Sequence, residues 1–396
     1  MSNFFSSIGP VLARQLFDSY ESYKLAEIAT SRFYHADMLK WIQSFDTGNL
    51  FMKTYLGFSG EGKPISLYSI GEGPIKVMLW SQMHGDEPTA TMALLDIFNF
   101  LYKNPDHEIS ETIRKQLTLL VVPMLNPDGT QRFTRRTAQL IDLNRDALAL
   151  KTPEAKILKD TQNKYQPMYA FNLHDQDPRL TVGTTKKITA IALLAPSADE
   201  IRSDNPTRIR AKKVASTIFH VLNQFIPGHI AKWDDSFEPR AFGDNIQKWG
   251  TSTVLVESGG WRGDPHKFFL RKLNCIGILV SLYALAIGES ENADINTYEQ
   301  IPFNTKLGCD HIIRNARLQV NHQSNSITVD IGINYDLRIN PVNNQWEDFA
   351  TIVELGDLHT FTALETDEEA HQKELNTDRI ILDRPFPRAE VKWLIK

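Results

Sequence analysis

A histidine and a carboxylate stand three residues apart in Ser81-Gln82-Met83-His84-Gly85-Asp86-Glu87-Pro88-Thr89, just after an apolar run. On a tight turn both side chains can converge on one point. Imidazole and carboxylate are ligands of zinc, which in catalytic sites keeps three protein ligands and one open position. Such a pair also arises by chance, so a third ligand is needed. Phe171-Asn172-Leu173-His174-Asp175 offers a histidine at the end of a second apolar run, and Thr253-Val254-Leu255-Val256-Glu257-Ser258-Gly259-Gly260 ends a third with a carboxylate. Three separate strand ends, each carrying His or Glu, are hard to explain by packing, because charged groups are seldom buried without a task. Between the first two lie Asn126-Pro127-Asp128-Gly129, by itself a turn, then Arg135, Arg136 and the run Asp142-Leu143-Asn144-Arg145. Arginines there can supply fixed positive charge to an oxyanion and to a substrate carboxylate.

The elements that must position these groups read as an alternation of buried strands and amphipathic helices. Strands are expected at 75–83, 117–125, 168–173, 188–195 and 251–256, and helices over 11–45, 88–102, 153–165, 207–226 and 265–286. Continuous apolar runs such as Leu-Thr-Leu-Leu-Val-Val at 117–122 fit strands covered on both faces. The pattern predicts an α/β fold: a mixed, largely buried β-sheet flanked by helices. In open α/β sheets, sites form at the carboxyl ends of strands, where the candidate residues fall. After Ile287 the chain turns polar. Ile327, Val329, Ile331, Ile333, Tyr335, Leu337 and Ile339 then alternate with polar residues at a period of two, as in a strand or hairpin bulged near Gly332. The expected organisation is an N-terminal helical segment over 1–50, an α/β unit over 51–290 and a small all-β, sandwich-like domain over 300–396.

Composition narrows the function classes. Of 396 residues, 42% are hydrophobic and 23% charged, as in an ordinary globular protein. The formal net charge of −5 offers no basic field for nucleic acid or an anionic membrane surface. Cys275 and Cys309 are too few for a disulfide framework. The N-terminal stretch does not read as a signal peptide, and the apolar run at 275–287 is short for a bilayer span. A cytoplasmic location without membrane contact is the expectation.

Taken in order, HxxE, NPDG, an arginine followed by Asp-x-Asn-Arg, a strand-end His and a strand-end Glu resemble the zinc carboxypeptidases of the carboxypeptidase A type, in their compact bacterial form. The turn Ser59-Gly60-Glu61-Gly62-Lys63-Pro64-Ile65 is similar to one in that family. The resemblance implies one zinc ion held by His84, Glu87 and His174, with Glu257 as general base. It implies that Arg135, rather than Arg136, stabilises the oxyanion, and that Asn144 and Arg145 clamp the substrate's terminal carboxylate. Asp142 matches a carboxylate that orients the first ligand histidine. The implied reaction is amide hydrolysis releasing C-terminal residues from peptides.

Some features depart from the digestive members: no Tyr lies between Tyr169 and Tyr283, where Trp233, Phe237 and Phe242 occur instead, and Asp146 follows the Asn-Arg pair. Competing expectations are an N-acyl amino acid deacylase resembling succinylglutamate desuccinylase or aspartoacylase, a murein-peptide amidase, and an inactive binding module. The partner is thus a peptide or N-acyl amino acid with a free carboxylate, and the C-terminal domain could mediate homo-oligomerisation. With Arg135 and Arg145 in the cleft, the acidic average is expected to conceal a locally positive pocket.

Overall fold

The computed structural model describes residues 9–45, 51–319, 325–340, 345–368, 374–376 and 380–392. Two helices come first, α1 (Gly9–Tyr23) and α2 (His35–Gln43), followed by a hairpin of β1 (Met52–Phe58) and β2 (Pro64–Ile70). Next come β3 (Ile75–Trp80), α3 (Thr89–Lys103), α4 (Glu108–Gln116), β4 (Leu117–Val122), the short α5 (Pro127–Arg132), α6 (Pro153–Tyr165) and β5 (Tyr169–Asp175). After the two-residue β6 (Thr181–Val182) the chain forms β7 (Ile191–Leu194), α7 (Pro206–Asn223), β8 (Ile230–Lys232), α8 (Phe242–Lys248), β9 (Ser252–Ser258), α9 (Phe268–Ala286) and α10 (Ile295–Glu299).

Eight strands make one mixed sheet in the order β1-β2-β4-β3-β5-β9-β7-β8. Its centre, β4-β3-β5-β9, is parallel, while β2 on β4 and β7 on β9 are antiparallel. The central strands β4 and β9 are rich in Val and Leu, and with β5 they are almost wholly buried, as a sheet covered on both faces requires. The helices that cover it start where local chemistry dictates. Thr152 accepts the N–H of Ala155 ahead of Pro153 at the start of α6, and Asn205 caps α7 ahead of Pro206 in the same way. The long apolar α9 is a core helix, buried along its length against α3 and α7. Arg271 of α9 forms a buried pair with Asp96 of α3 (Nη2–Oδ1 2.5 Å), and Tyr20 of α1 donates to the same carboxylate. That shared anion fixes α1 on the sheet's helical layer, and breaking such a pair leaves a buried charge, typically costing about 3–5 kcal/mol.

Most expected elements occur within a few residues of their predicted limits. The hairpin β1–β2, α4 and α8 were not expected. β2 is buried on both faces yet carries Ser66 and Ser69, so neither alternation nor an apolar run marks it. The expected segment at 117–125 ends short because residues 123–126 bend out of the sheet, and that at 188–195 begins late because Ile188 pairs instead with Thr181.

The structure divides into two compact units, one of residues 1–176, 190–259 and 264–303 and one of 177–189, 260–263 and 304–396. The second corrects the expected boundaries: segments 177–189 and 260–263 belong with it. β6 pairs with β10 (Asn304–Thr305), and Arg179 makes ion pairs with Asp310 (2.9 Å) and Asp336 (3.0 Å). Its strands β11 (Gly308–Gln319), β12 (Ile327–Ile339), β13 (Trp346–Gly356), β14 (Thr362–Asp367), β15 (Glu374–Asn376) and β16 (Pro385–Pro387) join one six-stranded sheet. The period-two segment is the single strand β12, with its register shift at Gly332/Ile333 against β13. The sandwich-like expectation is replaced among the described residues by this one sheet. Ile380, Phe386 and Val391, from the segment after β15, close over Ile331, Ile333 and Ile352, where a second large sheet would otherwise be needed.

Candidate active site

The parallel centre of the sheet brings the three chemistry-bearing segments to one edge. β3 leads into the turn with His84 and Glu87, β5 ends with His174, and β9 ends with Glu257, which lies directly across from His174 in the strand register. The 81–88 turn is held in an unusual shape. Gln82 is buried with φ 45°, and its Nε2 donates to Gly85 O and Thr130 Oγ1, both at 3.1 Å. Gly85 lies so close to α5 that a Cβ there would stand 2.0 Å from the carbonyl carbon of Gly129. A left-handed backbone at a non-glycine residue persists only where its surroundings over-determine it.

The ligand atoms of His84, Glu87 and His174 all lie within 4.8 Å of one another, and all three residues are buried. His84 Nδ1 is 2.7 Å from Glu87 Oε1 and His174 Nδ1 is 2.6 Å from Glu87 Oε2. The backbone N–H of Asp175 also points at Glu87 Oε2, at 3.2 Å. His84 Nε2 lies 3.0 Å from Asp142 Oδ1, which can only accept, so Nδ1 is the nitrogen left to face a metal. Two imidazoles and one carboxylate are the donor set of a catalytic zinc site. A cationic group already aims at these atoms: Arg135 Nη1 is 3.2 Å from His84 Nδ1 and 3.3 Å from Glu87 Oε1. The residues therefore fit a zinc ion. Burial would lower the pKa of His84, but Glu87 and the Asp142 hydrogen bond outweigh it and raise it to about 9. A metal taking Nδ1 thus displaces a proton. Burial first, then the charges of His84 and Arg135, keep His174 below the ordinary imidazole value despite Glu87.

Asp142 connects the pieces. Its Oδ1 accepts His84 Nε2 and the N–H of Asn144 (3.0 Å), and its Oδ2 accepts Arg135 Nε (3.0 Å). One carboxylate thereby holds His84, Arg135 and the backbone of Asn144 together. An outer partner of this kind typically accounts for 10–100-fold in metal affinity. Asp142→Asn is accordingly expected to weaken zinc binding by about that factor in a chelator competition. An affinity within twofold of the native protein would remove Asp142 from the role.

Glu257 is buried, and its Oε2 has no hydrogen-bond partner among the described residues. Burial first, then the charge of Glu87, push its carboxyl well above the usual range. Asn144 Oδ1 accepts the N–H of Phe242 at the start of α8 (2.9 Å), and Ala147 donates to Arg240 O (3.1 Å), so the segment 240–242 lies along residues 144–147. The expected positive pocket takes a different form. Arg135 is paired with Asp142, and Arg145 Nε lies 3.4 Å from Glu238 Oε2. Arg136 donates to Leu140 O and has no contact with the ligand set among its hydrogen bonds.

Several residues that brace the site were given no role in it by the sequence. Asp128, read as part of a turn, is fully buried and accepts Ser59 Oγ (2.9 Å), Glu61 N (2.9 Å) and Lys63 Nζ (2.7 Å). It ties the β1–β2 hairpin turn to α5, whose first residues Asn126 caps through the N–H of Gly129 (2.9 Å). Asp146, the departure after Arg145, accepts the N–H groups of Lys151 and Thr152 and leads the chain into α6. Asp244, on α8, accepts the N–H of Glu238 (3.1 Å), and burial pushes its carboxyl up to about 7. A folded pKa above the unfolded value of about 4 means the folded state holds its proton longer. Stability from this group is full below about pH 4 and is lost as pH rises through about 7. Asp244→Asn should therefore leave the thermal midpoint unchanged near pH 4 and raise it by a few degrees at pH 8. A midpoint equally shifted at both pH values would discard this linkage.

Comparison with known proteins agrees with this geometry. Residues 38–178 match the zinc carboxypeptidase family. Carboxypeptidase 2 of Trichophyton rubrum is 26% identical over 170 residues, 43% of this chain and 30% of that protein; its counterpart in Trichophyton tonsurans is 28% identical over 142 residues, 35% and 26%. The chain thus spans about a third or less of the length of the curated relatives it matches. The metallo-carboxypeptidase of Burkholderia cenocepacia shares the fold with TM-score 0.52 at 15% identity, over 65% of this chain and 70% of that one. That of Pseudomonas aeruginosa does so with TM-score 0.51 at 16% identity, over the same shares. The segment 38–178, which holds His84, Glu87, His174 and Asp142, is thus similar to the zinc carboxypeptidase family, and the fold around it is one that solved carboxypeptidases share.

Proposed function

We propose that the protein is a zinc-dependent carboxypeptidase that hydrolyses the last peptide bond of substrates bearing a free terminal carboxylate. The observation that carries this reading is the convergence of ligand atoms of His84, Glu87 and His174 within 4.8 Å at the ends of parallel strands, with Glu257 on the adjoining strand. Zinc held there would polarise the scissile carbonyl and bring a water's pKa toward ~7. Glu257 accepts the proton of the attacking water and passes it to the leaving amine nitrogen. A carboxyl raised toward neutrality suits both transfers. Arg135, fixed by Asp142, places a guanidinium N–H over the ligand set, where the oxyanion of the tetrahedral species develops. Asn144 and Arg145 take the terminal carboxylate, and a bidentate arginine pair sets its orientation.

The test is a side-by-side assay of the zinc-loaded chain on blocked tripeptides, the same tripeptides as C-terminal amides, N-acyl amino acids and muropeptides, with metal analysis of the same preparation. Stoichiometric zinc and release of the last residue from free-acid tripeptides alone is the expected result. Turnover of N-acyl amino acids or muropeptides in preference would replace the reading with a deacylase or an amidase. Failure to retain zinc, with no rescue on adding it, would leave a binding module.

A further inference from the structure

The clamp arginine is not free to wait for substrate. Arg145 Nη1 donates to Asn144 O (2.7 Å), and its Nε faces Glu238 Oε2 at 3.4 Å. Glu238 is at the same time gripped from the other side by Arg240, whose Nε reaches Oε1 and whose Nη2 reaches Oε2, both at 2.9 Å. Its backbone is anchored too, through its N–H to Asp244 Oδ1, and the neighbouring Arg240 carbonyl accepts Ala147 N–H from the clamp's own segment. One carboxylate is thus shared by two guanidinium groups. Arg240 holds it down to about 2, so it is ionised wherever the protein works.

We propose that Glu238 is a specificity-determining residue of the clamp: its carboxylate occupies Arg145 until a substrate's terminal carboxylate displaces it onto Arg240. This rests on the carboxypeptidase reading and deepens it. A terminal carboxylate is geometrically the same group as the Glu238 side chain, so the two compete for one guanidinium. Displaced, Glu238 keeps the bidentate pair with Arg240, so the exchange strands no charge. A neutral C-terminal amide gains no charge-assisted pair with Arg145 and cannot offset the lost contact. Glu238 therefore weakens the binding of free-acid ends, which must displace it from Arg145, and leaves amide ends, which do not displace it, unaffected.

The test compares Glu238→Gln with the native chain, both zinc-loaded, on a blocked tripeptide ending in the residue that the native chain removes fastest. The expected result is a KM lowered about two- to fivefold, the scale of one partly exposed ion pair, with kcat unchanged. In an Arg145→Met background the same substitution should leave KM as it is. A second readout needs no turnover: calorimetric titration of N-acetyl-L-leucine and N-acetyl-L-leucinamide onto the zinc-depleted protein. Glu238→Gln should tighten the acid and leave the amide unchanged. A KM or Kd that stays the same or rises overturns the proposal, as does a KM drop that persists without Arg145. A selective rise in KM for peptides ending in Lys or Arg would also overturn it, showing Glu238 to hold a basic side chain instead. If the chain releases no residue from any peptide, the carboxypeptidase reading fails, and the titration still decides on Glu238.

Discussion

Glu257→Gln is expected to bind zinc like the native chain and to lose about 10³–10⁴-fold in kcat, the upper range for removal of a general base. The amide keeps the shape of the carboxylate, so the buried end of β9 and its register with β5 are retained. What goes is a carboxylate beside the ligand set that can take a proton and give it back. Glu257 Oε2 has no partner among the described residues, so the substitution breaks no hydrogen bond there. The effect is therefore separable from folding, and metal analysis with a thermal midpoint verifies both. The native pH profile gives the second half of the test. Burial and the charge of Glu87 hold the Glu257 carboxyl above the ordinary glutamate range. As pH falls Glu257 takes up a proton and stops acting as a base, so activity declines on an acid limb. In Glu257→Gln the residual rate should lack this limb. Activity within tenfold of the native chain would sink the mechanism.

How much of this was legible follows from what each residue is for. His84, Glu87, His174 and Glu257 could be read because chemistry restricts their types and the parallel sheet restricts their places: each follows a strand whose apolar run is visible by itself. Asp142, Asn144 and Arg145 were legible only through their family pattern, since a polar run after a turn is unremarkable locally. Glu238 was not legible at all. Its partner Arg145 lies far away in sequence, and a Glu two residues before an Arg looks like solvated surface. Asp128 was read as a turn residue because its partners, Ser59 and Lys63, sit on a hairpin that the sequence did not announce. The second unit shows the same limit. Period-two alternation located β12 and its bulge, but no local pattern shows that 177–189 and 260–263 join that unit. The pairing of β6 with β10, the reach of Arg179 to Asp310 and the hydrogen bond from Arg262 to Ala363 O (2.8 Å) tie them to it.

Arg135→Met is expected to lower kcat by about 10²–10³-fold with little change in KM, whereas Arg136→Met should stay within twofold of the native chain. The two arginines are adjacent, equal in charge and both on the surface side of the α5 turn, so net charge cannot tell them apart. Geometry does. Arg135 Nε is locked on Asp142 Oδ2, which turns its Nη1 toward His84 and Glu87. Arg136 points away and donates to the carbonyl of Leu140. A donor fixed before the reaction stabilises charge that appears only in the transition state, so its loss falls on kcat. Arg135→Lys separates charge from shape. A lysine retains the positive charge but cannot bond Asp142 through one nitrogen and face the oxyanion with another. If orientation is the working part, Lys recovers less than a tenth of the native rate. If charge alone matters, it recovers most of it, and the role of Asp142 shrinks to holding the ring of His84. The opposite ranking, with Arg136→Met inactive and Arg135→Met intact, would transfer the oxyanion role to Arg136 and require the 133–141 loop to reorganise when substrate binds.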